Sequence, residues 1–327
     1  MKATIAILTY NGAEWIDEVL DSCLGQHADF NFEVLVIDSG SNDGTVDAVR
    51  TRHAVRLHQI SQSEFGHGRT RNLAVDMANG EFVVFLTQDA LPATPDWLRE
   101  LLIPFDASDK VACVFGKQVP RPDCCPTVKR DVIGHFRSFG PDQLLQMDSP
   151  ALTSDAERDK LTFFSDVNSA VRRSSIQSIP FRDVAYAEDQ ALGKDVIAAG
   201  LVKAYAPAAA VIHSHSYPPR RYFARMYDEM LGLRKTTGRS IDTSLPRHAA
   251  VILRNTVRDW AFILRDRDYP ASAKIKWFVQ APAYNVARRL AVRLAQKPEL
   301  PGWAAWAMGR PRRAPLASDA APAAKRS

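Results

Sequence analysis

Two short β-branched runs, "ATIAILT" over residues 3–9 and "FEVLVID" over 32–38, flank a stretch in which Trp15, Ile16, Val19, Leu20 and Leu24 recur at helical spacing. This strand, helix, strand unit constrains the chain more than any other feature, because it repeats. "DGTVDAVRTRH" reads as a second helix with Asp43 near its start, "RTRNLAVDMANG" as a third closed by Gly80, and "EFVVFLTQD" as a further strand. The strands are too uniformly apolar to have a wet face, so the expectation is an α/β fold with a mostly parallel sheet and helices on both faces. Ligands of such a sheet gather beyond the carboxyl ends of its strands.

A chain of 327 residues, 46% hydrophobic, buries a full core without covalent staples. Cys23, Cys113, Cys124 and Cys125 lack metal-ligand spacing, and the adjacent pair is poorly placed to bond with itself, which suits a reducing compartment. The N-terminal apolar run is broken by Asn11, Gly12 and Glu14 too early for a signal peptide, and no segment reaches the roughly 18 apolar residues of a spanning helix. A cytoplasmic protein is expected. Its net charge of +5 hides a split, because residues 217–327 carry 22 Lys and Arg against 8 Asp and Glu, whereas 1–216 carry 20 against 29. An acidic body with a basic appendage is expected to meet an anionic surface, phospholipid or nucleic acid. Segments such as "WFVQAPAYNVARRLAVRLAQK" interleave aromatic, aliphatic and Arg residues, which suits a lipid interface better than nucleic acid.

The segment from about "KQVPRPDCCPTVKRD" to "MDSPALTSDAERDK", rich in Pro and Asp, is expected to be an irregular excursion over the sheet. After it come a helix, "EDQALGKDVIAAG", closed by Gly200, and a last strand, "KAYAPAAAVIHSHSY", ending in histidines. Beyond Pro218 the spacing of Phe223, Met226, Tyr227, Met230 and Leu231 is helical. Asp38, Asp89, Asp189 and His213 thus all fall at strand ends or at a helix start. In a parallel sheet these positions face one crevice. A carboxylate there is available to hold a divalent ion, to bind a base or ribose, or to take a proton. A single Asp in such a place is more often a cap or turn residue; four together point to a site.

The segments "ILTYNGAEWI", "VIDSGSNDGT", "FGHGRTRNLAV", "GEFVVFLTQDALP", "DVNSAVRR", "AEDQALGKDV" and "VIHSHSY", in this order, resemble the family 2 glycosyltransferases of the GT-A fold. The forms "TQDA" and "FGHGRTRN" are similar to the bacterial rhamnosyltransferase branch, and the resemblance covers roughly residues 3–235. It implies a Rossmann-like nucleotide-binding domain over 1–217, followed by a basic amphipathic helical region over 218–313 at a membrane surface and a disordered tail over 314–327. It also implies an inverting hexosyltransferase that moves a sugar, L-rhamnose from dTDP-rhamnose, to a lipid-linked or polysaccharide acceptor such as O-antigen. A non-catalytic nucleotide- or polysaccharide-binding protein of the same fold is the alternative.

Carried onto this sequence, the resemblance makes Asp189, in "ED", the base that deprotonates the acceptor. Thr9, Asn11, Asp38, Arg71, Gln88 and Asp89 are implied to bind the nucleotide sugar, with Asp38 on the pyrimidine ring and Arg71 on the base or a phosphate. Asp89 and His213 are implied to hold Mg²⁺ or Mn²⁺ against the diphosphate, although Gln88 and Ala90 flank Asp89 where the family keeps a further carboxylate. His215 reads as a neighbour of His213, and His67 as a residue ordering its loop. Arg220 and Arg221 are candidates for closing over the diphosphate or for meeting the membrane. The implied partners are therefore the donor, the acceptor and an anionic membrane on its cytoplasmic face, and not nucleic acid. Oligomeric state is not legible.

Overall fold

The computed structural model describes residues 1–140, 145–147, 160–238, 244–297 and 299–308. The first strand, β1 (Ala3–Thr9), leads through helix α1 (Ile16–Leu24) to β2 (Phe32–Asp38), and α2 (Thr45–Arg50) leads to β3 (Val55–Gln59). Helix α3 (His67–Met77) then returns the chain to β4 (Phe82–Thr87). All four strands are parallel, in the order β3-β2-β1-β4. Residues alternate between two cores across this half-sheet. Ile5, Ile7, Val84 and Leu86 pack with α1 on one face, and Ala6, Val83 and Phe85 pack with α3 on the other.

The remaining strands are β5 (Leu91–Pro92), β6 (Val111–Val119), β7 (Leu145–Met147), β8 (Asn168–Arg172) and β9 (Val202–Ile212). Strands β6 and β9 are parallel, and β8 lies between β4 and β6 antiparallel to both. The sheet is thus mostly parallel, as expected, and the reversed strand has a reason in the chain path. Asn168 pairs with Leu86, so β8 begins at the edge where β4 ends, which sets Asp166 just before it.

Helix α4 (Trp97–Leu102) packs on the face that α1 covers, while α6 (Arg173–Ser178) and α7 (Glu188–Ala198) share the face of α3. The irregular excursion expected after β6 contains instead α5 (Pro126–Arg137), started by Pro126 in the first turn. Gly80 does not close α3, which ends at Met77 with Ala78 as its C-cap. A Cβ on Gly80 would lie 2.5 Å from the Ala3 and Thr4 backbone, so glycine is required there for close approach to β1.

The C-terminal layer comprises α8 (Pro219–Thr237), α9 (Leu245–Arg265), α10 (Ala271–Ala295) and α11 (Gly302–Ala307). Helices α8, α9 and α10 share a largely aromatic core, Tyr222, Ile263, Tyr269, Trp277 and Tyr284, with Cys125 at the start of α5, while α11 packs on α8 and α10 through Ala304. Asp259, fully buried, accepts from Thr127 Oγ1 (2.9 Å) and Asn285 Nδ2 (2.6 Å) and pairs with Arg130 Nε (2.6 Å), which ties α5, α9 and α10 together. Among the described residues no helix is long and apolar enough to cross a membrane, and all four cysteines are buried and free. The tail expected at 314–327 lies outside the described residues.

Candidate active site

The tips of β1, β2 and β4 meet because their registers pair Thr9 with Asp38 and Leu8 with Thr87. Asp38 is fully buried and closes its own turn. Its Oδ1 accepts the Gly40 and Ser41 N–H groups (3.0 and 2.9 Å), and Oδ2 accepts the Thr9 and Ser41 hydroxyls (2.9 and 2.5 Å). Asn11, at φ 49°, accepts the Asn42 N–H at 3.0 Å, so the first and second loops are stitched together. Gln88 accepts the Tyr10 N–H (2.9 Å) and donates to the Tyr10 carbonyl (3.1 Å). A Cβ on Gly12 would stand 2.5 Å from Gln88 Oε1, which fixes glycine at that approach. Asp43 starts α2 as expected, accepting from Thr45 N–H and Oγ1 and from Ala13 N–H.

Asp89 lies just beyond this rim. Its Oδ2 is 3.5 Å from both His213 Nε2 and His215 Nε2, and one donor atom from each of the three residues falls within 4.8 Å of the others. His213 and His215, two apart on the extended chain after β9, point to the same side. The sequence signal for His215 was therefore present in the His-Ser-His spacing.

The ring of His213 is oriented by Nδ1–H donating to Gln118 Oε1 (3.1 Å), while Gln118 Nε2 donates to Ser165 Oγ (3.2 Å). His213 Nε2 faces a carboxylate oxygen, and a proton or a shared cation between the two satisfies both. Burial and the neighbouring His213 push His215 down to about 4, which leaves its imidazole neutral and free to ligate. Burial opposes ionisation of Asp89, but its hydrogen bonds with His213 and Thr87, and the charge the two imidazoles carry whenever they are protonated, hold the carboxyl well below its usual range. The trio fits a divalent ion with at least half of its coordination shell left for phosphate or water.

A second cluster forms around Arg71. This residue is buried, with Nε 2.7 Å from Asp166 Oδ2, NH1 2.7 Å from Glu188 Oε1, and a further hydrogen bond to the His67 carbonyl (2.9 Å). Its charge is thus committed to two carboxylates inside the protein. Asp189 follows Glu188 in the first turn of α7, after Ala187 in the left-handed region at φ 61°. Asp189 Oδ1 accepts the Gln190 N–H at 2.7 Å, whereas Oδ2 has only a long contact, 3.4 Å, with the Asp166 N–H. Oδ2 is the oxygen available to a substrate. Burial, with Asp166 and Glu188 beside it, pushes the Asp189 carboxyl well above the usual carboxylate range, and burial pushes Asp166 up to about 6 despite Arg71.

Helix α8 stands beside both clusters. Arg225 lies 5.3 Å over the Tyr186 ring, and its charge reaches His215 on one side and His67 on the other. Asp166 and Arg225 were not singled out from the sequence, since Asp166 sits in an unremarkable "SDVN" and Arg225 in a helix read only for its apolar stripe. Arg220, by contrast, donates to the Ala307 and Trp306 carbonyls (2.6 and 2.9 Å), holding α11, and Arg221 lies over the Tyr217 ring at 4.7 Å.

Residues 4–179 match the family described as glycosyl transferase family 2. The O-antigen chain rhamnosyltransferase RfbN of Salmonella typhimurium is 34% identical over 235 residues, covering 70% of this chain and 71% of that protein. The O-antigen chain rhamnosyltransferase WbaN of Salmonella anatum is 36% identical over 202 residues, covering 60% of this chain and 61% of that protein. The mannosyltransferase PcManGT from Pyrobaculum calidifontis, solved with GDP-Man and Mn²⁺, superposes with a TM-score of 0.57 at 22% identity, covering 90% of this chain and 88% of that one. At that identity the likeness establishes a common fold and nothing about substrate.

Proposed function

The chain belongs to glycosyl transferase family 2 and is a glycosyltransferase, and on that premise we propose that it transfers L-rhamnose from dTDP-rhamnose, with inversion, to a lipid-linked acceptor in cell-surface polysaccharide synthesis. The rhamnosyl group and the O-antigen chain are read from the names of the two rhamnosyltransferase relatives, and the dTDP carrier and the lipid linkage are part of the proposal. The observation that carries the mechanism is the placing, along one sheet edge, of an imidazole and carboxylate trio next to a carboxylate whose Oδ2 has, among the described residues, a single long contact. Thr9, Asn11, Asp38 and Gln88 shape the floor against which the nucleoside rests. Asp89, His213 and His215 would hold a divalent cation, Mn²⁺ in preference to Mg²⁺ because two of the three donors are imidazole nitrogens. Such an ion would supply charge neutralisation for a diphosphate.

The reaction itself falls to Asp189. The acceptor hydroxyl gives its proton to Asp189 Oδ2 as its oxygen bonds to the anomeric carbon, and the bond from that carbon to the diphosphate oxygen breaks on the opposite face. Arg71 with Asp166 and Glu188 positions this base, and the same carboxylates raise its proton affinity. An acidic 1–217 region serves as the catalytic body, and 218–313 attaches it to the cytoplasmic face of an anionic membrane. Calorimetry with a panel of nucleotide sugars, with Mn²⁺ and with chelator, tests the reading. A dTDP-sugar should bind most tightly, and only with the ion, and His215→Ala should weaken this Mn²⁺-dependent binding about 10- to 100-fold. Equal affinity for unrelated nucleotide sugars, or affinity indifferent to chelator, would overturn it.

A further inference from the structure

Helices α9 and α10 turn one face to α5 and leave the other uncovered. On α9 the uncovered apolar residues are Leu253, Val257 and Leu264, and on α10 they are Ile275, Val279 and Val286, spaced four and then seven in both helices. That spacing draws one stripe along each helix. Trp260 and Phe278 join the stripes into a single surface, with ring centroids 4.8 Å apart and Trp260 Nε1 donating to the Phe278 carbonyl at 2.8 Å. Leu253, Leu264, Ile275, Val279 and Trp306 expose between 66% and 74% of their area. At one end, Trp303 and Trp306 of α11 rim a groove of about 380 Å³ floored by Phe223, Val286 and Leu290.

The charges around this surface follow a rule. Four of the six stripe residues, Leu253, Val257, Leu264 and Ile275, are followed directly by an exposed cation, Arg254, Arg258, Arg265 and Lys276. Neighbours in a helix stand about 100° apart, so these cations border the stripe. Residues 245–308 contain eleven Lys and Arg against four Asp and Glu. Three of the four acids are spent inward, Asp259 on Arg130 and Asp266 and Asp268 on Lys129.

We propose that this face is where the protein lies on an anionic lipid bilayer, with the α9 and α10 stripes and the two α11 tryptophans entering the headgroup boundary and the bordering Arg and Lys meeting lipid phosphates. An apolar centre with a cationic border matches an interfacial helix pair. A second copy of the chain would bring like charges face to face, and a nucleic acid would leave the apolar centre wet. Aromatic pairs at the edge suit the zone where one end is apolar and the other hydrated. The proposal rests on the membrane-linked acceptor read above and names the surface that serves it.

The test is flotation of the full chain with vesicles of phosphatidylcholine alone and with phosphatidylglycerol added, without donor or acceptor, so that failure of rhamnosyl transfer leaves the result readable. Binding to the anionic vesicles should exceed that to neutral ones at least tenfold, and brominated lipid should quench tryptophan emission. Leu253→Ser with Val279→Ser, and separately Trp303→Ser with Trp306→Ser, should each lower vesicle binding at least tenfold. Both pairs should keep the parent thermal midpoint and nucleotide affinity. Unchanged vesicle binding in both pairs overturns the proposal. So does a surface whose substitutions abolish self-association, or oligonucleotide binding, instead of flotation.

Discussion

Asp189 occupies the position where charge and geometry conflict most. Asp166 and Glu188 both pair with the Arg71 guanidinium, and burial beside these carboxyl groups raises the proton affinity of Asp189, as burial raises that of Asp166. A base must be deprotonated to act. The acid limb of kcat/KM should therefore lie above the usual carboxylate range, with activity rising as pH rises through it. Arg71→Met removes a cation that lowers the Asp189 pKa and should move the limb further upward. Asp189→Asn should cost about 10²- to 10⁴-fold in turnover while leaving nucleotide affinity nearly unchanged. A pH profile of Arg71→Met that coincides with the parent would show that the cluster does not set the base. At this scale the sequence placed Asp38, Asp89 and His213 at strand ends and Asp189 at a helix start, because these places follow from local pattern. It did not reveal that Arg71 is buried against Asp166, since that pairing depends on the reversed strand β8.

Among the elements, α8 links chemistry to scaffold. Gly232 allows this helix to press on the turn that precedes Asp189, since a Cβ there would lie 2.5 Å from the Tyr186 ring, and Thr236 Oγ1 donates to the Tyr186 carbonyl at 2.9 Å. Gly232→Ala should force the helix off Tyr186. The expected loss is about 1–3 kcal/mol of stability, the usual cost of overpacking, seen as a lower midpoint in urea. Turnover should fall with nucleotide affinity preserved, because the displaced turn carries the base and not the nucleoside floor. Strands β1, β2, β4 and β9 and helices α1, α2, α3 and α7 were legible because each is bounded by turn residues and carries a clear strand or helix signal. Strand β8 was not, because its five residues, Asn168–Arg172, are too few to show a direction. Helix α5 was hidden by the Pro and Asp around it.

At the scale of the molecule, the charge split divides the sequence more sharply than packing divides the fold. The C-terminal helices look like an appendage in composition, yet their aromatic core closes over Cys125 and Tyr222, and Asp259 binds them to α5. Deleting residues 245–308 would therefore strip cover from the body, and single surface substitutions test membrane contact more cleanly. Asp259→Ala leaves Arg130 without its carboxylate in a mostly buried place, which should cost about 3–5 kcal/mol. Its unfolding curve should show the helical layer coming away before the sheet melts.

The four buried thiols divide along the same seam. Cys23 belongs to the core under α1 and Cys113 to the opposite core, whereas Cys124 and Cys125 lie at the joint between α5 and the C-terminal helices, where Tyr269 Oη donates to the Cys124 carbonyl. Burial pushes Cys113 up to about 12 and Cys125 up to about 11, so none of the four should alkylate while its surroundings stay closed. Their labelling rates then time two separate openings, one of the joint and one of the sheet. Mass spectra taken during exposure to iodoacetamide should show a two-label species before any four-label one, and Asp259→Ala should hasten the first pair while leaving the second at the parent rate.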